Sequence, residues 1–497
     1  MKITNLKEIA NIRNKFTNKI ILHCHGVFDI LHFGHLLHFK SAKQKGDILV
    51  VSITPDIYVN KGPGRPINNE NVRAKMLSEL SIVDYVLIND KPDAINIIEL
   101  LKPTYYIKGP DYKNTIDVTG KIEQERQAVE KYSGQLLFTD DDTLSSSKII
   151  NRHVVKWSEH QKEVLNKLKN SFTFDDIVCL FDQLSKVKVI VVGEPIIDTY
   201  RFCEPQNISS KSPSISARFL KEENYLGGSL AIARHLNALG AKVSIFAPFG
   251  SDEQGLAAIE QIKNEGVSVQ SDCIQNYITP RKIRYITEPG YNRLFEVTNV
   301  EDYYLSNLEL YDYNTMVAQL DKYDIAVISD FGHGLFENSR LNAINNNKLT
   351  FKALNVQTNS NNFGFNLVNK HNNIDFLSID EREIRLATAN RFSEINDVLL
   401  DFKKNCNFNS FVTLGSNGSA SLNSDNYMPT FFDAPVDTTG AGDAFFAITS
   451  VLNYLEIDET LTLFIGNIYA GLKTKIIGNK NTVDVVDLKK TIKSLLA

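Results

Sequence analysis

The chain has 497 residues, 43% hydrophobic and 23% charged, with a formal net charge of −5. That length exceeds one ordinary core and predicts two to four domains of about 100–200 residues each, and the faintly negative balance gives no general pull toward nucleic acid or membrane. Five scattered cysteines (Cys24, Cys179, Cys203, Cys273, Cys406) include no CxxC pair. That argues against a disulfide framework or a zinc site. With a polar start and no apolar run of spanning length, the expected location is the cytoplasm.

Lys19–His25 reads as a buried strand, followed by the loop Gly26–His35 and a helical stretch to about Lys45. Asp47–Ile53, Tyr85–Ile88 and Tyr105–Lys108 are further strands, with helices expected over Asn71–Leu80 and Ala94–Leu101. This alternation predicts a parallel sheet with its ligand crevice at the strands' carboxyl ends, where Gly26–His35 lies. His32 and His35 flank Gly34. Such a pair can cap a helix; it also suits donation to a triphosphate and stabilisation of charge building there. A metal site needs more ligands than these two.

The string Gly26-x-Phe28-Asp29-x-x-His32-x-Gly34-His35 closely resembles the HxGH signature of the nucleotidyltransferase superfamily, especially its cytidylyltransferase-like branch. Lys61–Pro66 followed by Arg73, Lys108–Tyr112, and Thr143–Ile150 with Ser145, Ser146 and Ser147 resemble that branch in the right order. Asp142-Thr143 replaces the family's usual Glu-Gly, which leaves the choice of CTP or ATP open. The resemblance implies a Rossmann-like domain over residues 1–152. It implies a catalytic group of His32, His35 and Lys61, and nucleotide contacts from Gly26, Phe28, Asp29, Gly34, Arg73, Lys108 and the three serines. A phosphate ester attacks the α-phosphorus of the nucleotide and pyrophosphate leaves. The nucleophile is already anionic, so catalysis is positioning plus charge stabilisation, with Mg²⁺.

Residues 153–185 read as a helical connector. Val154, Trp157, Val164, Leu165 and Leu168 recur at helical spacing, and Phe174, Ile177, Val178, Leu180 and Phe181 do so again after a break at Phe172-Thr173. Without a Pro/Gly/Ser-rich linker the two helices are expected to be packed.

Residues 186–497 are expected to form a third, larger unit. Val187–Val192 is a buried strand ending in Gly193–Asp198; Tyr200–Tyr225 is extended and irregular; Leu226–Gly240 is a Gly-Gly turn and apolar helix. Strands are expected at Lys242–Phe246, Ala326–Ser329 and Asp375–Ile379, with turns at Gly250–Gly255, Asp330–Leu335 and Val412–Gly418. The most specific stretch is Asp437-Thr-Thr-Gly-Ala-Gly-Asp443-Ala-Phe-Phe446, small residues feeding a helix start with an acid inside it. Free amides and the positive end of a helix dipole suit a phosphate, and Asp443 is placed to act as a base beside it.

This string resembles the signature of the ribokinase (PfkB) family of sugar kinases. The resemblance implies a ribokinase-like α/β fold with a small β lid, often used by the family to dimerise, so a homodimer or higher homo-oligomer is expected. Asp443 becomes the base toward a sugar hydroxyl. The amides of Gly440, Ala441 and Gly442 hold the γ-phosphoryl group of ATP, and Thr413, Gly415 and Gly418 hold the nucleotide. Asp198, Gly227, Gly228, Arg281 and Arg284 meet the substrate. Asp380 and Glu383 stand where the family carries its magnesium motif, with Asp for Asn, and are expected to organise Mg²⁺ through water. Ala231 and His333 also depart from the family pattern.

The two halves together resemble the bifunctional heptose enzymes of lipopolysaccharide assembly, in reversed order. That implies a sugar 1-phosphate made by one half and activated by the other for a lipopolysaccharide, capsule or other surface glycan. The alternative is a transferase for a polyol or other phosphate ester, with the kinase-like half a binding or regulatory module.

Overall fold

The structure, a computed structural model, describes residues 2–59, 65–109, 121–139, 157–208, 214–288, 290, 292–300, 305, 310–348, 350–360, 362–405, 408–424 and 426–496. It divides into two compact units, Met1–Asp175 with Val486–Ala497, and Asp176–Val485.

In the first unit α1 (Leu6–Lys15) leads into β1 (Ile21–Gly26), α2 (Phe33–Lys43), β2 (Ile48–Ile53), α3 (Glu70–Ser78) and β3 (Tyr85–Ile88). There follow α4 (Ile95–Leu101), β4 (Tyr105–Lys108), α5 (Lys121–Glu130) and β5 (Gln135–Phe138). The strands make one parallel sheet in the order β3-β2-β1-β4-β5. Both faces are covered, as parallel sheets require. Leu22, Cys24, Leu49 and Val51 pack with Phe39, Ala42 and Leu77 on one side, and Ile21, Val50 and Leu87 with Ile9, Ile12 and Leu101 on the other. The strand order reverses between β1 and β4, which opens the crevice beyond their carboxyl ends. The helices expected beyond residue 153 are α6 (Glu159–Ser171), started by a Ser158–Gln161 capping box, and α7 (Phe174–Leu184). Val154 lies outside the described residues.

The second unit continues with β6 (Lys188–Gly193), β7 (Pro195–Ile208), β8 (Ile215–Gly228), α8 (Ser229–Ala238), β9 (Lys242–Phe246), β10 (Phe249–Gly250) and α9 (Glu253–Asn264). Then come β11 (Ser268–Val269), β12 (Cys273–Ile274), β13 (Arg281–Thr287), β14 (Arg293–Asn299), α10 (Tyr311–Val317), β15 (Ile325–Asp330) and α11 (Asn338–Asn346). After β16 (Phe351–Val356) and β17 (Phe376–Asp380) follow α12 (Glu381–Ala387), α13 (Ile395–Asn405), β18 (Asn409–Thr413), β19 (Ser419–Ser421) and β20 (Tyr427–Met428). The chain closes with α14 (Ala441–Tyr454), α15 (Glu459–Lys473) and α16 (Val485–Leu495). α16 falls with the first unit.

A nine-stranded sheet runs β11-β9-β6-β15-β16-β17-β18-β19-β20, parallel as far as β18. α14 is buried from Asp443 to Leu452, because its sequence is apolar all round rather than along one stripe. Phe445 from this helix meets Phe411 of β18, which meets Phe376 of β17. The stretch expected to be an irregular β lid is regular: β7 and β8 form a long antiparallel hairpin, joined by β13 and β14 into a four-stranded sheet, β14-β13-β7-β8.

Candidate active sites

In the first unit, β1 carries His23 and His25 on one face, by the two-residue period of a strand. His23 Nε2 and His25 Nδ1 each lie 2.8 Å from Ser52 Oγ, and His25 Nε2 lies 3.2 Å from Thr54 Oγ1. Burial, with the nearby Lys108 charge, lowers His23 to about 3 and His25 well below its ordinary value, so both stay neutral at pH 7. Beyond Gly26 the chain bends at Phe28, whose φ of 49° is left-handed and costly for an aromatic residue. A Cβ on Gly26 would sit 3.0 Å from the Phe28 ring, so glycine leaves that ring its place. The ring stands edge-on to His35 at 5.3 Å.

His32 is the N-cap residue of α2 but makes no capping bond with its side chain. Its ring stacks on His35 instead, with centroids 3.9 Å apart. That disposes of the capping alternative. The imidazoles stand together at a helix start, where free amides and the dipole favour an anion.

Other expected nucleotide contacts hold the walls. Asp29 is buried and accepts from the Ile67 and Asn68 amides at 2.8 and 3.0 Å. Arg73 needs correcting. It is fully buried and donates to the carbonyls of Asn68, Val27 and Thr54 and to Asp56. Its guanidinium ties the loops after β1 and β2 together and faces no open space. Lys108 pairs with Glu125 at 2.7 Å. Lys61, Ser145, Ser146, Ser147 and residues 110–112 lie outside the described residues. Sequence reasoning missed His25 and His38; the latter lies 3.0 Å from Thr139 Oγ1.

In the second unit the site forms at the carboxyl ends of the strands. Gly440, with φ of 77°, is the N-cap of α14, and a Cβ there would collide with the Asn479 side chain. Glycine alone fits. A Cβ on Gly442 would meet nothing within 4 Å, so open space lies beside this turn, while the Ala441 amide donates to the Thr438 carbonyl at 3.2 Å. Asp443 follows in the first turn, buried, its Oδ1 accepting from Gln357 Nε2 at 2.7 Å just past β16. Burial raises Asp443 to about 6, assisted by the Asp198 charge and opposed by Gln357, Lys473 and Lys282. A carboxylate with that value is ionised at pH 7 and still a competent base.

Asp198 enters from the lid. It pairs with Arg284 and accepts from Asn479 Nδ2 at 3.0 Å. A Cβ on Gly227 would strike its carboxylate, so Gly227 makes room for this acid, and Gly228 (φ 59°) starts α8. Arg281 is not brought to the same point: it binds Glu222 at 2.6 Å and Thr199 Oγ1 at 2.7 Å. Lys282, between the two arginines in β13, is partly buried, and its side-chain ammonium makes no hydrogen bond among the described residues. Burial lowers its pKa, while Asp198 and Asp443 act the other way and Arg284 adds to the lowering. Asp437 ties the phosphate loop to the lid, accepting from Tyr200 Oη at 2.9 Å, from Arg293 at 3.1 Å and from the Gly478 amide at 2.8 Å. Tyr200, Ile286, Arg293, Val436, Asp437 and Ile477 border a cavity of about 190 Å³.

Thr413 ends β18 in register with Asp380 of β17. Gly415 and Gly418 follow with φ of 58° and 103°, and a Cβ on Gly418 would hit the Met428 carbonyl. Asp380 and Glu383 form a reciprocal capping box on α12, and the second oxygen of Glu383 takes the Thr358 amide. Burial, then the Asp380 charge, raises Glu383 to about 8. That donor set fits Mg²⁺ only through water, since its oxygens are occupied by amides. No cluster of three ligating residues occurs among the described residues. The switch point between β6 and β15 carries two acids that sequence reasoning left unassigned. Glu194 accepts from the Phe331, His333 and Leu335 amides, and Asp330 meets His371 at 2.7 Å and Lys370 at 2.9 Å. They fix the turn that holds His333, which is buried.

The sheets of both units bring a helix start and charged side chains to the carboxyl ends of parallel strands, the layout of an α/β protein that binds phosphate groups, once in each unit. Profile comparison resolves the class further: residues 23–152 match cytidylyltransferase-like proteins, and residues 186–453 match the pfkB family of carbohydrate kinases. The chain belongs to the pfkB carbohydrate kinase family, with a cytidylyltransferase-like domain ahead of the kinase domain.

Similar curated proteins include Bifunctional protein HldE of Campylobacter fetus subsp. fetus, 36% identical over 153 residues, which is 30% of this chain and 31% of that protein. The HldE of Geobacter metallireducens is 37% identical over 163 residues, 32% of each. These matches lie in the N-terminal region, and the chain spans about a third of the length of these relatives. Phosphofructokinase-2 from Escherichia coli, solved in complex with potassium, aligns with a TM-score of 0.50 over 62% of this chain and 99% of that chain. At 14% identity this is a likeness of fold.

Proposed function

We propose that the chain is a bifunctional enzyme that phosphorylates a sugar phosphate at its anomeric hydroxyl and then activates the product with a nucleotide. In the kinase half Asp443 takes the hydroxyl proton as the sugar oxygen bonds to the γ-phosphorus and ADP leaves; the Gly440–Gly442 amides stabilise the transferring group. In the N-terminal half the new 1-phosphate attacks the α-phosphorus of CTP or ATP, expelling pyrophosphate past His32 and His35. Mg²⁺ held through water near Asp380 and Glu383 would neutralise phosphate charge in the kinase half.

The observation that carries this reading is Asp443, buried at the first turn of α14 and aligned by Gln357 beside the Gly440–Gly442 turn. Lys282 supports an anionic acceptor. Its ammonium makes no hydrogen bond among the described residues, and a phosphate on the sugar would supply one. A heptose-like sugar phosphate destined for a surface glycan is the favoured substrate, on the likeness of the N-terminal region to HldE proteins. Dependence on nucleoside triphosphates in both steps supports a cytoplasmic location. Exposed Phe219, Phe295 and Val297 on the lid strands support pairing of two copies there.

The test supplies the purified chain with ATP, CTP and a panel of heptose and hexose phosphates, and measures ADP and pyrophosphate separately. Both products are expected. Pyrophosphate alone, from a supplied phosphate ester, would favour a kinase-like half that only binds. Neither product with any acceptor would sink the proposal.

A further inference from the structure

Lys473 ends α15 and is fully buried. A buried ammonium is costly unless its donors are met. Its Nζ donates to the Gly478 carbonyl at 2.6 Å and to the Thr439 carbonyl at 2.9 Å. Those carbonyls belong to two different segments. Thr439 immediately precedes the N-cap glycine of α14, and Gly478 precedes Asn479, the residue that binds Asp198. A Cβ on Gly440 would lie 3.4 Å from Lys473 Cε, so the lysine stem runs directly beneath the phosphate loop. The charges nearest in effect are Asp437, Asp443 and Asp198, with Arg234 opposing them. Burial lowers the lysine to about 8.

We infer that Lys473 is an internal, covalently tethered cation that positions the phosphate-holding turn, so that kinase turnover needs no added monovalent cation. The ammonium group pulls two main-chain carbonyls toward one point. Their peptide units turn their opposite, N–H sides outward, and the same charge lies behind the site where the transferring phosphoryl group becomes most anionic. Among the described residues no other ammonium or guanidinium group bonds both carbonyls. Lys473 is thus a positioning residue: it acts through the turn and not by touching the acceptor.

This inference rests on the kinase reading above, and the experiment separates the two. ADP release is followed for the wild type, Lys473→Met and Lys473→Ala, with and without potassium or ammonium chloride and with sodium chloride as ionic-strength control. Binding of ADP with beryllium fluoride, a γ-phosphoryl mimic, is measured in parallel by calorimetry. The wild type is expected to be indifferent to potassium. Lys473→Met should lose at least 30-fold in kcat with ATP KM changed less than threefold, and should bind ADP–beryllium fluoride at least tenfold more weakly while ADP alone binds as before. Lys473→Ala should regain at least tenfold with ammonium or potassium but not sodium. A wild type stimulated severalfold by potassium would overturn the inference, as would a Lys473→Met enzyme within twofold of wild type. So would an alanine variant that stays inactive, or unfolded, in ammonium. If the wild type shows no kinase turnover, the kinase reading fails while the beryllium fluoride arm still decides this one.

Discussion

Asp443 is held ionised at some cost to the fold. Its folded pKa of about 6 lies above the ordinary carboxylate value of 3.8, so the native state prefers the protonated acid. The penalty is absent below about pH 3.8, grows up to about pH 6 and is complete above that. Asp443→Asn is therefore expected to stabilise the kinase unit by about 2–3 kcal/mol at pH 7, with the difference vanishing near pH 4. The same variant should lose about 10²–10⁴-fold in kinase kcat, and wild-type kinase kcat should fall tenfold per unit as pH drops below about 6. Thermal unfolding and a pH–rate profile check both. A variant neither more stable nor less active would contradict the role given to this acid. Lys282→Met should raise the KM for a phosphorylated acceptor by at least tenfold and leave the KM for ATP unchanged. Equal effects on both substrates would place the lysine elsewhere.

At the scale of elements, the start of α14 depends on contacts that converge from distant segments. Gly440→Ala adds a Cβ where Asn479 stands and forces alanine into a left-handed conformation worth about 1–2 kcal/mol. The expected outcome is a lowered melting temperature together with a raised acceptor KM, because Asn479 can no longer hold Asp198. Kinetics of the purified variant would show it; a change in melting alone would break the proposed link. This also marks how far the site was legible. Asp437–Phe446 and Gly26–His35 could be read because turn, helix start and reactive side chain are adjacent in sequence. Gln357, Asn479, Lys282 and Lys473 reach the kinase site from separate elements with no local pattern, and Asp198 and Arg284 were each read as substrate contacts without the pairing between them or the Asn479 bond. Arg73 shows the converse: an arginine facing carbonyls and one facing phosphate are identical in sequence, and burial alone tells them apart. The alternation from β1 to β4 was legible, while α1, α5, β5, β16 and the regular four-stranded lid were not, the strands because their pairing is non-local.

At the scale of the molecule, each unit has its own sheet and its own helix-start site, so the two chemistries are expected to fail separately. With each half supplied its own acceptor, the sugar phosphate for ADP release and the sugar 1-phosphate for pyrophosphate release, His35→Asn should abolish pyrophosphate release and leave ADP release within twofold of wild type, and Asp443→Asn should do the reverse. Loss of both activities from either substitution would mean that the halves are energetically coupled.

The helix α16 gives the chain a particular history during synthesis. It buries Leu488, Ile492 and Leu495, its Lys493 lies over the Phe174 ring at 5.3 Å, and it belongs to the first unit. A domain usually folds as it leaves the ribosome, at about 5–20 residues per second. Here a helix of the first unit is translated more than 300 residues after its Asp175, so the kinase unit, although second in sequence, is the first whose residues are all available to fold.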